Sequence, residues 1–326
     1  MNAIRVMRSG GPEVLVYENR DDPKAGPGEL LVETEAIGVN FIDLYRREGR
    51  YPQPDPGVPG EEGAGRVISV GSDVTDFKIG DRVAWTTVMG SYAEKVIVPV
   101  EKAIHIPKEM DMNTAAAALV IGMTAHYLVN DSYRVKKGDT LLVHAAAGGV
   151  GSILTKMIKS MGGKVIGTVS TEEKELLARE NGVDEVIRYD QNKNWSEEVR
   201  RLTDGVGVDA VYDGVAATTF KGSLASLKTR GTMVLFGGAS GPVPPFDVME
   251  LAWGGSLTLT RPYLEHFRVT RNEFLQRAND VFNGILNGDF SVTIGATYPL
   301  KKAAEAHRDL GNRKAMGKLL LIPRGE

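Results

Sequence analysis

Residues 145–151, Ala-Ala-Ala-Gly-Gly-Val-Gly, stand between a short apolar run, Thr140 to His144, and a run carrying Ile153, Met157, Ile158 and Met161 at helical spacing. Gly162-Gly163 stops that second run, and Lys164 to Val169 reads as another strand. Two strands joined by a short helical crossover are parallel, so the glycine turn lies at the carboxyl end of the first. Helix N–H groups and the positive end of the helix dipole face outward there, which suits a pyrophosphate. Against the dinucleotide fingerprint G-x-G-x-x-G, residues 146–151 match at Gly148 and Gly151 and carry Ala146 in the first place. Gly148 lets a phosphate approach the backbone, and Gly151 lets helix pack on strand. A tight turn built for steric reasons alone would read the same way.

The end of the second strand distinguishes the two nicotinamide dinucleotides. An acid about 20 residues past the fingerprint would bond the adenosine ribose 2′-hydroxyl and select NAD. Here the strand ends Val169-Ser170-Thr171, with no acid before Glu172 and with Lys174 within one turn. A hydroxyl and an ammonium suit a 2′-phosphate that an aspartate would repel, so the expected cofactor is NADP(H). Ser170 to Glu173 also reads as a cap for the next helix, and the two roles are compatible.

A chain of 326 residues is long for one domain and comfortable for two. The net charge of −3, without a basic block, points to neither nucleic acid nor an anionic membrane. No apolar run approaches membrane length and the start lacks an apolar signal core, so a cytoplasmic enzyme is expected. With no cysteine, the chain has no disulfide, thiolate zinc site or cysteine nucleophile. Its five histidines, His105, His126, His144, His266 and His307, show no ligand spacing.

The elements that must position this chemistry fall into two kinds. Up to Val98 the chain reads as short strands with glycine and proline turns: two strands within residues 1–16, then Glu29–Val39, Gly63–Val70, Arg82–Val88 and Tyr92–Val98, with a short helix at Asn40–Arg47. Asn113–Asn130 reads as a helix interrupted at Gly122. Beyond it, strands and helices alternate to Thr260, which implies a doubly wound parallel Rossmann sheet. Helices at Glu273–Leu286 and Lys301–Leu310 and a strand at Lys318–Ile322 make a tail expected to return to the first lobe. The expected domains are 1–122 with 266–326, β-rich and carrying substrate, and 123–265, binding the dinucleotide, with ligand between them.

The stretches GGPEVL (10–15), AIGVNFIDLYRREGRYP (36–52), PGEEGAGRVISVG (59–71), GDRVAW (80–85), AAAGGVG (145–151), VYDGV (211–215) and TRPYL (260–264) together resemble the zinc-free quinone oxidoreductase branch, which includes zeta-crystallin, of the medium-chain dehydrogenase/reductase superfamily. The resemblance implies an α/β fold with a β-rich, partly closed barrel-like (GroES-like) catalytic domain beside the Rossmann sheet. It also implies a homodimer through the Rossmann domain, for which residues 257–260 are the expected pairing strand. The zinc alcohol dehydrogenases need Gly-His-Glu where this chain has Gly60-Glu61-Glu62, and a cysteine near Asn40; no metal is therefore expected.

Carried over residue by residue, the resemblance implies that Asn40, Asp43 and Tyr51 lie near the nicotinamide as the catalytic set. Thr124 and Tyr127 would contact the nicotinamide side or the phosphates. Gly148, Gly149 and Val150 would offer backbone to the pyrophosphate. Ser170, Lys174 and Tyr189 would hold the 2′-phosphate, joined by Arg313 from the tail. Phe236, Gly237 and Gly238 would end a strand at the cofactor edge, and Thr260, Arg261 and Pro262 would line the nicotinamide or substrate side. On the residues alone, Asn40 and Asp43 read equally as a helix cap and a first-turn acid, and His144 reads as structural. The expected activity is NADPH-dependent quinone reduction, in which positioning and hydrogen bonds to the developing oxyanion do the work, from Asn40, Tyr51 or water. The alternatives are an enoyl or alkenal reductase, and an NADPH-binding protein with little turnover, crystallin-like or RNA-binding; the absence of a basic stripe opposes RNA.

Overall fold

A computed structural model describes residues 1–52 and 57–325. The chain opens with strands β1 (Asn2–Val6), β2 (Leu15–Asn19) and β3 (Glu29–Val39), helix α1 (Phe41–Arg47), and strands β4 (Glu62–Val70), β5 (Arg82–Thr86), β6 (Lys95–Pro99) and β7 (Ala103–His105). Helix α2 (Met112–Tyr127) leads into β8 (Thr140–His144), α3 (Gly149–Ser160), β9 (Lys164–Val169), α4 (Glu172–Glu180), β10 (Glu185–Arg188), α5 (Trp195–Leu202), β11 (Val208–Asp213), α6 (Phe220–Ser226), β12 (Leu227–Leu235), α7 (Met249–Trp253) and β13 (Thr258–Thr260). The tail holds α8 (Arg271–Leu286), β14 (Ile294–Pro299), α9 (Ala303–Gly311) and β15 (Lys318–Ile322). Two compact units result: Met1–Ile121 with Thr270–Leu286 and Val292–Glu326, and Gly122–Val269 with Asn287–Ser291.

In the second unit, six strands run in the order β10-β9-β8-β11-β12-β13, all parallel. That is the doubly wound Rossmann order, and it reverses between β8 and β11, where ligands of such sheets bind beyond the strand ends. The strands are buried on both faces, so they read as continuous apolar runs. Leu142, Ile166, Val211 and Met233 pack with Trp195, Val199, Phe220 and Leu224 from α5 and α6.

In the first unit, β3 pairs antiparallel with β4 and β6, and β4 continues through β5 to β7. The tail does return here. Strand β15 pairs antiparallel with β3, setting Leu320 opposite Gly38, and carries β14 on its other side. Phe274, Ala278, Val281 and Phe282 are the buried stripe of α8, at the spacing that a helix half sunk in a core requires.

Several local expectations fail for identifiable reasons. Gly122 does not interrupt α2, which runs through it and continues in π-helical turns to Ser132. Its neighbours Ile121 and Met123 are buried, so packing holds what glycine's backbone freedom would loosen. By length and composition Met112–Ser132 could cross a membrane, yet 67% of its apolar window is buried in the protein, as in a core helix. Strand β5 stops at Thr86, because Thr87 takes φ +55°. Helix α6 ends at Ser226 and β12 begins at once at Leu227, and β7, β14 and α7 are not among the expected elements.

Candidate active site

The loop from Ala145 to Gly148 joins β8 to α3. Ala145 sits at φ +52°, a left-handed conformation costing a non-glycine residue about 1–2 kcal/mol. Its carbonyl accepts the Gly148 N–H at 2.8 Å, closing the turn. A Cβ on Gly151 would stand 2.3 Å from Ala145 O and 2.9 Å from Ala146 Cα, so only glycine lets α3 start this close to β8. A Cβ on Gly148 would meet the same carbonyl at 3.1 Å. Gly148 is the N-cap of α3 and has no side chain to cap it. The cradle is thus a bare helix N-terminus with Gly149 and Val150 in its first turn, and it fits a pyrophosphate.

At the end of β9, Ser170 and Lys174 come together, with Lys174 Nζ 3.4 Å from Ser170 Oγ. Thr171 caps α4, its Oγ1 accepting the Lys174 N–H at 3.3 Å. Capping and presentation of the hydroxyl and ammonium are therefore shared between adjacent residues.

Tyr189 behaves differently. Its hydroxyl accepts from Thr168 Oγ1 at 2.6 Å and contacts His144 Nδ1. His144 Nε2 meets Ser223 Oγ at 2.9 Å, and Ser223 donates to Asp213 Oδ2 at 2.7 Å. Ser223 spends its one hydrogen on a carboxylate, so His144 carries its hydrogen on Nε2 and accepts on Nδ1. Thr168 Oγ1 also lies 2.9 Å from His144 Nδ1, so that nitrogen is shared by the Thr168 and Tyr189 hydroxyls, while the direction His144 to Ser223 to Asp213 is fixed. Burial lowers the His144 pKa, against the pull of Asp213. Asp213 also accepts the Val215 and Ala216 N–H groups at 2.8 and 2.9 Å, ordering the turn after β11. The Tyr189 hydroxyl is committed to this chain, and His144 is structural.

Thr124 and Tyr127 lie on one buried stretch of α2. The Tyr127 ring stacks on Phe267 with centroids 4.4 Å apart, and burial raises its pKa against the nearby Arg261 charge. Arg261 Nη1 donates to Pro262 O at 3.1 Å just past Thr260, which ends β13. Past β12, Phe236 N–H donates to Asp213 O at 2.9 Å. A Cβ on Gly237 would stand 2.4 Å from Gly214 O, so the turns after β11 and β12 close tightly on each other before Gly238.

In the β-rich unit, Asn40 is the N-cap of α1 and Asp43 its third residue. Asp43 Oδ2 accepts the Asn40 N–H at 2.8 Å, so the helix-cap reading is correct for this pair. The Asn40 carboxamide turns instead to a buried ion pair: Oδ1 accepts from Lys318 Nζ at 2.5 Å and Nδ2 donates to Glu62 Oε2 at 2.9 Å. Lys318 and Glu62 are themselves 2.6 Å apart, with side chains 2% and 0% exposed. Asp43 Oδ2 also accepts from the Tyr92 hydroxyl at 3.1 Å, while Oδ1 has no partner among the described residues. Burial first, then the Glu61 charge, pushes the Asp43 pKa up to about 7. Tyr51 stacks on Tyr45 at 5.9 Å, and Arg50 covers the Tyr45 ring at 4.0 Å. Arg313 lies in the turn after α9 at φ +59°.

The carboxylates at the position of the zinc motif are bound by cations, Glu61 by Arg46 and Glu62 by Lys318. Among the described residues no three His, Cys, Asp or Glu side chains cluster as metal ligands. Sequence reasoning missed Lys318, Tyr92 and Asp213. The signal for Lys318 was a lone cation opening an otherwise apolar strand, Lys-Leu-Leu-Leu-Ile.

Two family models match: the alcohol dehydrogenase GroES-like domain over residues 26–108 and the zinc-binding dehydrogenase family over 149–280. A quinone oxidoreductase of Pseudomonas aeruginosa is 43% identical, over 98% of this chain and 99% of that protein. A 2-haloacrylate reductase of a Burkholderia species is 39% identical over 98% of each. The crystal structure of Escherichia coli quinone oxidoreductase complexed with NADPH superposes with a TM-score of 0.96 at 39% identity, covering 99% of this chain and 100% of that one. With the Rossmann strand order, the bare helix N-terminus and the cysteine-free carboxylate site on one chain, the conclusion is that this protein belongs to the zinc-free quinone oxidoreductase branch of the medium-chain dehydrogenase/reductase superfamily.

Proposed function

We propose that the protein is an NADPH-dependent quinone reductase that works without metal. The observation that carries the reading is the meeting of Ser170 and Lys174 at the end of β9, in a family whose Escherichia coli member was solved with NADPH. Gly148, Gly149 and Val150 take the pyrophosphate at the N-terminus of α3. Ser170 and Lys174 hold the 2′-phosphate, with Tyr189 bordering it. Phe236, Gly237 and Gly238 edge the cofactor. Thr124, Tyr127, Thr260, Arg261 and Pro262 line its nicotinamide side.

NADPH supplies the hydride. The chain orients the acceptor and stabilises the charge that develops on its oxygen. Asn40 and Tyr51 offer the hydrogen bonds. Asp43 holds Asn40 in place by accepting its backbone N–H.

A second reading, reduction of a C=C bond conjugated to a carbonyl or carboxylate, is favoured by the 2-haloacrylate reductase relative. NADPH consumption across a panel of naphthoquinones and linear enones separates the two. Quinone turnover well above enone turnover supports the first, and the reverse order replaces it by the second. Tight NADPH binding with no turnover on either would make the protein a binding protein. We also propose a soluble cytoplasmic homodimer joined through β13. That strand ends the six-stranded sheet and follows a helix whose Trp253 is 74% exposed.

A further inference from the structure

The contacts around Asn40 determine which way its carboxamide faces. Lys318 Nζ can only donate, so the atom facing it at 2.5 Å is the carbonyl oxygen. Glu62 Oε2 accepts from that lysine at 2.6 Å and accepts again from Asn40, so the atom facing it at 2.9 Å is the amide nitrogen. Glu62 is held in turn by Lys318 and, on Oε1, by the Val120 N–H at 2.6 Å. The carboxylate has room because residue 38 is glycine. A Cβ there would stand 2.3 Å from Glu62 Oε2 and 2.7 Å from Ala116 O.

We infer that Lys318 is a positioning residue: gripping both Asn40 and Glu62, it fixes the Asn40 carboxamide as a hydrogen-bond donor to the oxygen of the bound acceptor. The inference rests on the quinone reductase reading. One Nδ2 hydrogen goes to Glu62, and the other meets Gly38 O only at 3.4 Å, the limit of a hydrogen bond. The ammonium on Oδ1 polarises the amide and strengthens that remaining donor. A flipped amide would turn a carbonyl oxygen toward the developing anion. Stability alone does not call for such a pair, since apolar side chains of similar volume serve a core as well or better. Leu319, Leu320 and Leu321, next on the same strand, are buried in that way.

The test is a double-mutant cycle. Lys318→Met, Lys318→Arg and Asn40→Ala are made singly, and each lysine variant is also made with Asn40→Ala. Turnover of naphthoquinone and NADPH affinity are measured for all. Lys318→Met should lower kcat about tenfold with NADPH affinity unchanged, and Lys318→Arg should restore most of it. In the Asn40→Ala background Lys318→Met should add less than about twofold. A repeated tenfold loss there would overturn the inference, because the lysine would then serve the fold. Should Lys318→Met fail to fold with Glu62 left unpaired, Lys318→Met/Glu62→Gln removes both charges and the same outcomes apply.

A readout without turnover is hydrogen exchange of the Asn40 side-chain amide, assigned by its loss in Asn40→Ala. Exchange should quicken in the Lys318 variants lacking the charge, and unchanged exchange would overturn the inference. A parent protein that reduces neither quinones nor enones would sink the functional reading, while amide exchange would still decide the role of Lys318.

Discussion

The Tyr92 hydroxyl lies 2.9 Å from His307 Nε2, the two rings meeting edge to face at 85°. Arg47 Nη1 lies 3.2 Å from the other ring nitrogen and can only donate, so His307 accepts on Nδ1 and carries its hydrogen on Nε2. Tyr92 therefore accepts from His307 and donates to Asp43. Burial, then the Arg47 charge, brings the His307 pKa down to about 3. Because Arg47 does not release a proton, this chain orients Asp43 and does not conduct protons to it.

The raised pKa of Asp43 has a consequence for stability. The folded chain holds this proton up to about pH 7, whereas the unfolded carboxyl releases it near 3.8. The folded state thus binds more protons in that window, and the contribution is full below 3.8 and lost as pH rises through 7. The stability of Asp43→Asn relative to the parent should rise by about 1.4 kcal/mol per pH unit between pH 4 and 7, read from urea unfolding. Parallel pH profiles would mean that Asp43 is ionised in the fold.

Cofactor choice should depend on Lys174. A charged hydrogen bond to the 2′-phosphate is worth on the order of 1.5–3 kcal/mol before screening. Lys174→Ala should raise the NADPH KM roughly tenfold and leave that of NADH nearly unchanged. Ser170→Asp should go further by repelling the phosphate. Equal losses for both cofactors would show that Lys174 supports the fold instead.

Gly151→Ala places a Cβ 2.3 Å from Ala145 O, a backbone atom that cannot rotate away. The start of α3 must shift, costing about 1–3 kcal/mol of stability. NADPH affinity, read by fluorescence titration, should fall with it. Unchanged affinity would separate the cradle from the cofactor.

Trp253→Ser should convert a dimer into a monomer at micromolar concentration by sedimentation, with the melting temperature of each protomer little changed. A monomeric parent would contradict the homodimer, and a variant that stays dimeric would move the interface away from Trp253.

Much of the fold is legible in the sequence because parallel strands are buried on both faces. Thr140–His144 and Lys164–Val169 are continuous apolar runs, and their bounds are those observed. Strand β14 is not legible: Gly295 interrupts it, and its residues alternate between exposed and half-buried. The glycine cradle and the Ser170–Lys174 pair are local and could be read from spacing. The surroundings of Asn40 could not, because Lys318 reaches it and Glu62 across 278 and 256 residues, and His307 reaches Tyr92 across 215. No local pattern encodes contacts that only the tertiary fold creates.

The most direct test of the central claim is NADPH oxidation with a naphthoquinone after exhaustive chelation of the purified protein. Quinone-dependent oxidation undiminished by the chelator, well above that with a linear enone, is the predicted result. Activity that is lost to the chelator and restored by zinc, or no quinone turnover at all, would contradict it.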